Sequence, residues 1–230
     1  PERWERAPNG ETTQRQSPYV QLITTDREPQ LLMSYEEIEV KFIVDDVTTL
    51  RQRIIGLEAS LHHPRAYEDN WCFDTPDQRF QQEDRLLRLR RDRRILLTYK
   101  EPPPTADTAF KVRQEYEIEV NDFEQARALV EKLGFAPSLR YEKYRETFRY
   151  GEAEILLDET PLGAFVEIEG TRESIDAITK QLELDDANRI TASYGDIFEA
   201  VRTAYDLPFG DMTFDNFRDL SIDLHSCQLS

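Results

Sequence analysis

Strict alternation of polar and apolar residues opens the patterned part of the chain. Across residues 34–44, Tyr35, Glu37, Glu39, Lys41 and Ile43 share one parity, and Ile38, Val40, Phe42 and Val44 share the other. A period of two marks a strand. Asp45-Asp46 then opens a segment with Val47, Leu50, Ile54, Leu57 and Leu61 at helical spacing, so a helix is expected to about Leu61. Further strands are expected at 67–74, 112–120, 141–150, 154–158 and 164–169, with 85–91 and 95–100 forming a hairpin around Asp92-Arg93. Helices are expected at 122–133, stopped by Gly134, and at 173–182 and 193–205. Pro102-Pro103-Pro104 reads as a loop and Pro161-Leu162-Gly163 as a turn. Residues 1–32 are polar and irregular, and read as a flexible segment with a short strand at 19–23. Residues 207–230 lack a period and read as a tail behind a folded domain at 33–206.

The strands are joined mostly by short connections, which favours antiparallel pairing. Their charged parities are unusually consistent. Glu37, Glu39 and Lys41 share a face, as do Arg88 and Arg90, Thr98 and Lys100, and Arg113, Glu115, Glu117 and Glu119. Lys143, Arg145 and Arg149 share another, and Glu167 and Glu169 follow Asp158 of the preceding strand. On a single strand, a solvated face with cross-strand ion pairs accounts for such a row. Repeated over most strands, with helices available to cover the apolar faces, it points inward. The expected fold is α+β, a closed eight-stranded antiparallel barrel with helices packed outside and charges lining a tunnel. Arginine and lysine there suit phosphate oxygens, and carboxylates suit Mg2+ or Mn2+.

Composition narrows the partners. The net charge of −17 opposes binding to nucleic acid or anionic membrane by bulk charge, but not to a small anion in a basic interior. Two distant cysteines form no disulfide framework and suggest a reducing, cytoplasmic setting. No apolar run approaches the roughly 18 residues of a membrane span, and no signal-peptide pattern is visible. His62, His63, Glu119 and Arg149 read as surface residues. Glu115 reads as the partner of a neighbouring arginine, and Cys72 as core on the apolar parity of its strand. A homodimer formed through an outer sheet or helix face is a further expectation.

Several blocks then fall in a familiar order. Glu37-Ile38-Glu39-Val40-Lys41 resembles the ExExK signature of the CYTH superfamily, the triphosphate tunnel metalloenzymes. Asp69 to Pro76 is similar to its D-x-Y-F-D-T-P strand, with Trp71 for the usual tyrosine. Leu87-Arg88-Leu89-Arg90, Thr98-Tyr99-Lys100, Arg113 to Glu119, Lys143 with Arg145, Leu157 to Glu169, and Ser193-Tyr194 resemble the later blocks. The likeness runs from about Tyr35 to Ala200.

The resemblance implies an eight-stranded tunnel and an enzyme acting on a triphosphate compound. Family members include inorganic, thiamine and RNA triphosphatases and class IV adenylyl cyclases. It implies metal ligands at Glu37, Glu39, Glu167 and Glu169, with Glu117 and Asp158 nearby. It implies phosphate contacts from Lys41, Arg88, Arg90, Lys100, Arg113, Lys143 and Arg145, and a catalytic role for Glu37, Glu39, Lys41 and Arg145. Hydrolysis by a metal-activated water is the first expectation. The alternatives are a cyclase forming cyclic AMP and diphosphate from ATP, and a non-catalytic polyphosphate or nucleotide binder. The intact glutamate pairs argue against the last.

Overall fold

The computed structural model describes residues 35–103, 107, 109–227 and 229, within one compact unit, Met33–Ser230. The expected flexible segment at 1–32, its strand at 19–23, and Pro104 of the proline loop lie outside the described residues.

The elements run β1 (Tyr35–Val44), α1 (Val47–Gly56), β2 (Ser60–Asp74), α2 (Arg79–Gln82), β3 (Leu86–Arg91), β4 (Ile95–Glu101) and β5 (Lys111–Val120). They continue with α3 (Phe123–Lys132), β6 (Ala136–Tyr150), β7 (Ala153–Thr160), β8 (Gly163–Glu169), α4 (Arg172–Gln181) and α5 (Tyr194–Ala204). All eight strands pair antiparallel in the ring β1-β5-β4-β3-β2-β6-β7-β8. The sheet closes because β1 has a neighbour on each side: Ile38 lies opposite Val112 of β5, and Val40 opposite Ile168 of β8. The expected α+β closed barrel is therefore the observed fold.

Alternation decides what faces where. The apolar parity of β1, β7 and β8 points outward, where Val40, Phe42, Ile155, Val166 and Ile168 pack with Leu50 and Ile54 of α1 and Ile175 and Ile178 of α4. Trp71, Phe73, Leu87, Leu89 and Leu97 form a second outer layer with Phe123 and Val130 of α3. Local capping sets the helix starts. Asp46, Asp122 and Thr171 each accept a backbone N–H of the first turn, and Ser193 and Asp196 form a reciprocal capping box at α5.

Three expectations change. The first helix ends at Gly56, not near Leu61, because Glu58 takes a left-handed backbone conformation (φ 63°) and turns the chain into β2. β2 accordingly starts at Ser60 and carries His62 and His63 within the sheet. Its pairing with β6 shifts register on either side of His63, next to Pro64, whose missing N–H cannot join a ladder. Cys72 is buried, but on the inward parity of Glu68 and Asn70 and not with Trp71 and Phe73; it lines the interior. Residues after 206 pack closely on the barrel. Met212 accepts from Glu142 N (3.0 Å) and donates to Arg140 O (2.9 Å), and Leu207, Met212, Phe217 and Leu224 are buried against Ile197, Phe198 and Val201 of α5. Among the described residues no helix is long and apolar enough to cross a membrane, and Cys72 and Cys227 are free thiols.

Candidate functional site

The ring encloses a cavity of about 1430 Å3, lined by the charged parities of the strands. At its centre two lysines are almost completely buried, Lys41 and Lys143, each 1% exposed. Their burial is tolerable only because carboxylates meet them. Lys41 Nζ lies 2.8 Å from Glu167 Oε1 and 3.6 Å from Glu39 Oε1. Lys143 Nζ donates to Asp158 Oδ2 at 2.8 Å. Arg145 donates to both oxygens of Asp158 at 2.7 and 2.6 Å, and also to Glu167. Tyr194, at the start of α5, donates its hydroxyl to Asp158 at 2.7 Å. Its ring lies 4.8 Å from the Lys41 ammonium and 4.7 Å from that of Lys143.

A second group of cations stands on β3, β4 and β5. Lys100 is paired with Glu37 and Glu115, Lys111 with Glu39 at 3.1 Å, and Arg113 with Asp84. Arg88 donates to the Tyr141 hydroxyl at 3.3 Å. Arg90 lies 3.7 Å from Glu68 and 3.5 Å from Asp92.

Glu37 and Glu39 of β1 and Glu169 of β8 converge, each with a carboxylate oxygen within 4.8 Å of the others. Their acidities separate. Burial raises Glu37 above the usual carboxylate value, with Lys100 opposing and Glu39 and Glu115 adding. Burial raises Glu169 strongly, reinforced by Glu37 and Glu39. Burial also acts to raise Glu39, but Lys41 and Lys111 overcome it and hold that group near 2. Glu167 is likewise held well below the usual range against burial, by Lys41, Arg145 and Lys143. Lys41, Lys100 and Arg145 are raised despite burial by their carboxylate partners, and remain charged.

The Glu37–Glu39–Glu169 group is thus all-oxygen and lines the cavity, with Glu39 buried, Glu37 and Glu169 partly buried, and Lys100, Lys111 and Lys41 alongside. That chemistry fits Mg2+ or Mn2+. Of the other expected metal-binding residues, Asp158 and Glu167 are engaged by cations, and Glu117 is exposed and accepts from Thr98 at 2.8 Å. All the expected phosphate-contacting cations line the cavity. Glu119 and Arg149 are exposed, Glu115 pairs with Lys100, and His62 and His63 border the cavity. Sequence reasoning did not single out Lys111, Glu68, Asn70 or Tyr141. Lys111 precedes the expected start of β5 by one residue, although it shares the parity of Arg113. The parity of Glu68 and Asn70 was readable but drew no notice beside the motif residues Asp69 and Trp71.

The CYTH domain profile matches residues 36–194. A Methanocaldococcus jannaschii protein provisionally named an adenylate cyclase is 31% identical over 149 residues, spanning 64% of this chain and 83% of that protein. A Vibrio parahaemolyticus crystal structure with the same provisional name superposes with a TM-score of 0.65 at 24% identity, covering 73% of this chain and 100% of that one. A Pyrococcus horikoshii structure superposes with a TM-score of 0.61 at 25% identity, covering 71% and 98% of the two chains.

Proposed function

The chain belongs to the CYTH domain family, and on that premise we propose that it is a metal-dependent triphosphatase, hydrolysing inorganic triphosphate or an organic triphosphate inside the tunnel. The observation that carries this reading is the juxtaposition, in one closed cavity, of the Glu37–Glu39–Glu169 group with a row of buried cations. Neither half alone specifies the ligand; together they match a polyanion that arrives with a divalent metal.

Glu37, Glu39 and Glu169 would hold the metal. Bound there, Mg2+ or Mn2+ would supply positive charge to phosphate oxygens and polarise the attacked phosphorus. Arg88, Arg90, Lys100, Arg113, Lys143 and Arg145 bind the non-bridging oxygens, and Lys41 and Arg145 stabilise charge that builds on the transferred group. Asp158 and Glu167 hold Lys41, Lys143 and Arg145 in place at the cavity wall. The cations already have carboxylate partners, so the polyphosphate exchanges one set of anionic oxygens for another. Water attacks the terminal phosphorus, the phosphoanhydride bond breaks, and phosphate leaves together with diphosphate, or with the organic diphosphate where the substrate is an organic triphosphate, with release of a proton.

A second reading has its own support. The relative provisionally named an adenylate cyclase favours attack by a ribose hydroxyl on the α-phosphorus of ATP. Product analysis separates them. Protein incubated with triphosphate or ATP, with Mg2+ or Mn2+, is expected to release phosphate without cyclic AMP. Cyclic AMP in equal amount with diphosphate would establish the cyclase instead. Tight triphosphate binding without turnover would identify a binding module.

A further inference from the structure

The two ends of the tunnel differ in charge that is left unpaired. Strand directions put the β3–β4 hairpin, the β6–β7 turn and the start of β2 at one end, and the α2 turn and the start of β6 at the other. Among the described residues, Arg88, Arg93 and Arg94 are the arginines that pair with no carboxylate. All three line the cavity. Arg88 is buried inside it, whereas Arg93 and Arg94 are exposed at the hairpin. Arg93 is steadied by β2 and not by an acid: it donates to Pro64 O at 2.6 Å, and its Nη1 lies 3.4 Å from His63 Nδ1. The carboxylates beside them are committed elsewhere. Asp92 lies 3.5 Å from Arg90, and Glu154 accepts from Arg149 at 3.0 Å.

The other end has the opposite remainder. Arg85, Arg113 and Arg202 are paired with Glu83, Asp84 and Glu199. Asp74 and Asp196 also line the cavity, and they accept from backbone N–H and hydroxyl groups with no cation paired to either among the described residues. A polyanion approaching a chain of net charge −17 is repelled by most of its surface. Two unpaired arginines at the lip of a cleft lower that barrier where they stand, because the cleft focuses their field. We infer that the hairpin rim, with Arg93 and Arg94 as its free charges, is the port by which the polyanionic ligand enters the tunnel, and that the α2 end is not. Arg90 and Arg88, alternate residues of β3 that both line the cavity, continue the row of guanidinium groups inward from the rim. At roughly 3.3 Å per strand residue, Arg93 stands about 15 Å along the chain from Arg88, so the rim acts on arrival and not on the bound phosphates. The inference rests on the triphosphate-binding reading above and adds how the ligand reaches the site.

Kinetic calorimetry with inorganic triphosphate in Mg2+, at about 0.02 and 0.3 M salt, tests it by separating association from dissociation. The Arg93→Gln/Arg94→Gln variant is expected to associate about tenfold more slowly than wild type at the lower salt, with dissociation changed by less than about twofold and the gap closing at the higher salt. Arg93→Lys/Arg94→Lys keeps the charge and is expected to stay within about twofold of wild type. Arg94 makes no side-chain hydrogen bond among the described residues, so Arg94→Gln alone leaves the fold intact and is expected to slow association about threefold. Arg85→Gln/Arg202→Gln changes the net charge equally at the other end and is expected to leave association within about twofold. Unchanged association in both glutamine variants of the hairpin would overturn the port. So would equal slowing by the variant at the other end, which would make the effect one of total charge. Faster dissociation with unchanged association would also overturn it, making the rim part of the bound site. Equal slowing by the lysine and glutamine variants would remove charge as the cause and overturn it too. Failure of wild type to bind triphosphate at either salt would sink the triphosphate reading itself, whereas tight binding without the hairpin effect would sink only the port.

Discussion

Glu39 and Glu169 lie opposite each other in the β1–β8 register, yet their acidities diverge. Lys41 and Lys111 hold Glu39 near 2, whereas burial and the neighbouring Glu37 and Glu39 charges raise Glu169. The group thus joins one carboxyl of lowered pKa, Glu39, to two of raised pKa, Glu37 and Glu169. Changing Glu39→Gln should lower metal-dependent turnover by about 100-fold or more, as removal of a preorganised electrostatic group commonly does; undiminished turnover would remove Glu39 from the site. The raised groups also make a pH prediction. Above the ordinary value of 4.5 the folded chain keeps protons on Glu37 and Glu169 that the unfolded chain has lost, so their contribution to stability declines as pH climbs toward their folded values. Glu39 acts in the other direction, and its contribution disappears as pH falls from 4.5 toward 2. A divalent metal competes with those protons. The rise in Tm on adding Mg2+ or Mn2+ is therefore expected to be larger at pH 8 than at pH 6. An equal rise at both would place the metal elsewhere.

Among the elements described, α2 is the shortest α-helix and hangs on one side chain. Asp74, at the end of β2, accepts from Thr75 N at 2.6 Å, Phe80 N at 2.9 Å and Gln81 N at 3.0 Å. Beyond α2, Asp84 meets Arg113 at the cavity wall, so the turn also positions a cavity-lining cation. Asp74→Ala leaves these N–H groups without their acceptor and should cost about 1–3 kcal/mol in urea unfolding. The same variant should bind triphosphate more weakly through a loosened Arg113. A variant with unchanged midpoint and affinity would show that α2 is held by Phe80 packing alone. β2 illustrates what pattern misses at this scale. Its first residues contain Pro64 and adjacent histidines without alternation, yet pairing with the long β6 makes them sheet.

At the scale of the molecule, the tail belongs to the core that supports the site. Met212 is 0% exposed, and Phe217 stacks edge-on against Phe198 and Phe209. Met212 also bridges in parallel to Tyr141, which accepts from Arg88 in the cavity. Met212→Ala should destabilise by about 2–5 kcal/mol in denaturant unfolding, as expected for a buried methionine truncated to a cavity. A chain ending at residue 206 should melt at markedly lower temperature by calorimetry, and an unchanged Tm would show that α5 and the barrel close without it. Carboxylates and cations balance in the cavity lining, so the net charge of −17 lies outside it, and ligand affinity depends on local charge inside and not on the total.

Strand identity, strand number and the charged parities were legible in the sequence, because a period of two survives any packing and because glutamate, lysine and arginine recur on the same parity of most strands. Inward placement was legible only by argument, from the helices needing apolar faces to cover. Three things waited for the tertiary structure. Which carboxylates converge, Glu37, Glu39 and Glu169 and not Asp158 or Glu167, depends on the β1–β8 register and on which cations each meets. The ordered path of residues after 206 depends on contacts with α5 and β6 far away in sequence, and no local period encodes them. The unpaired charge of Arg93 and Arg94 appears only once their neighbours are known, because an arginine at a hairpin is ordinary until every surrounding carboxylate has been assigned elsewhere.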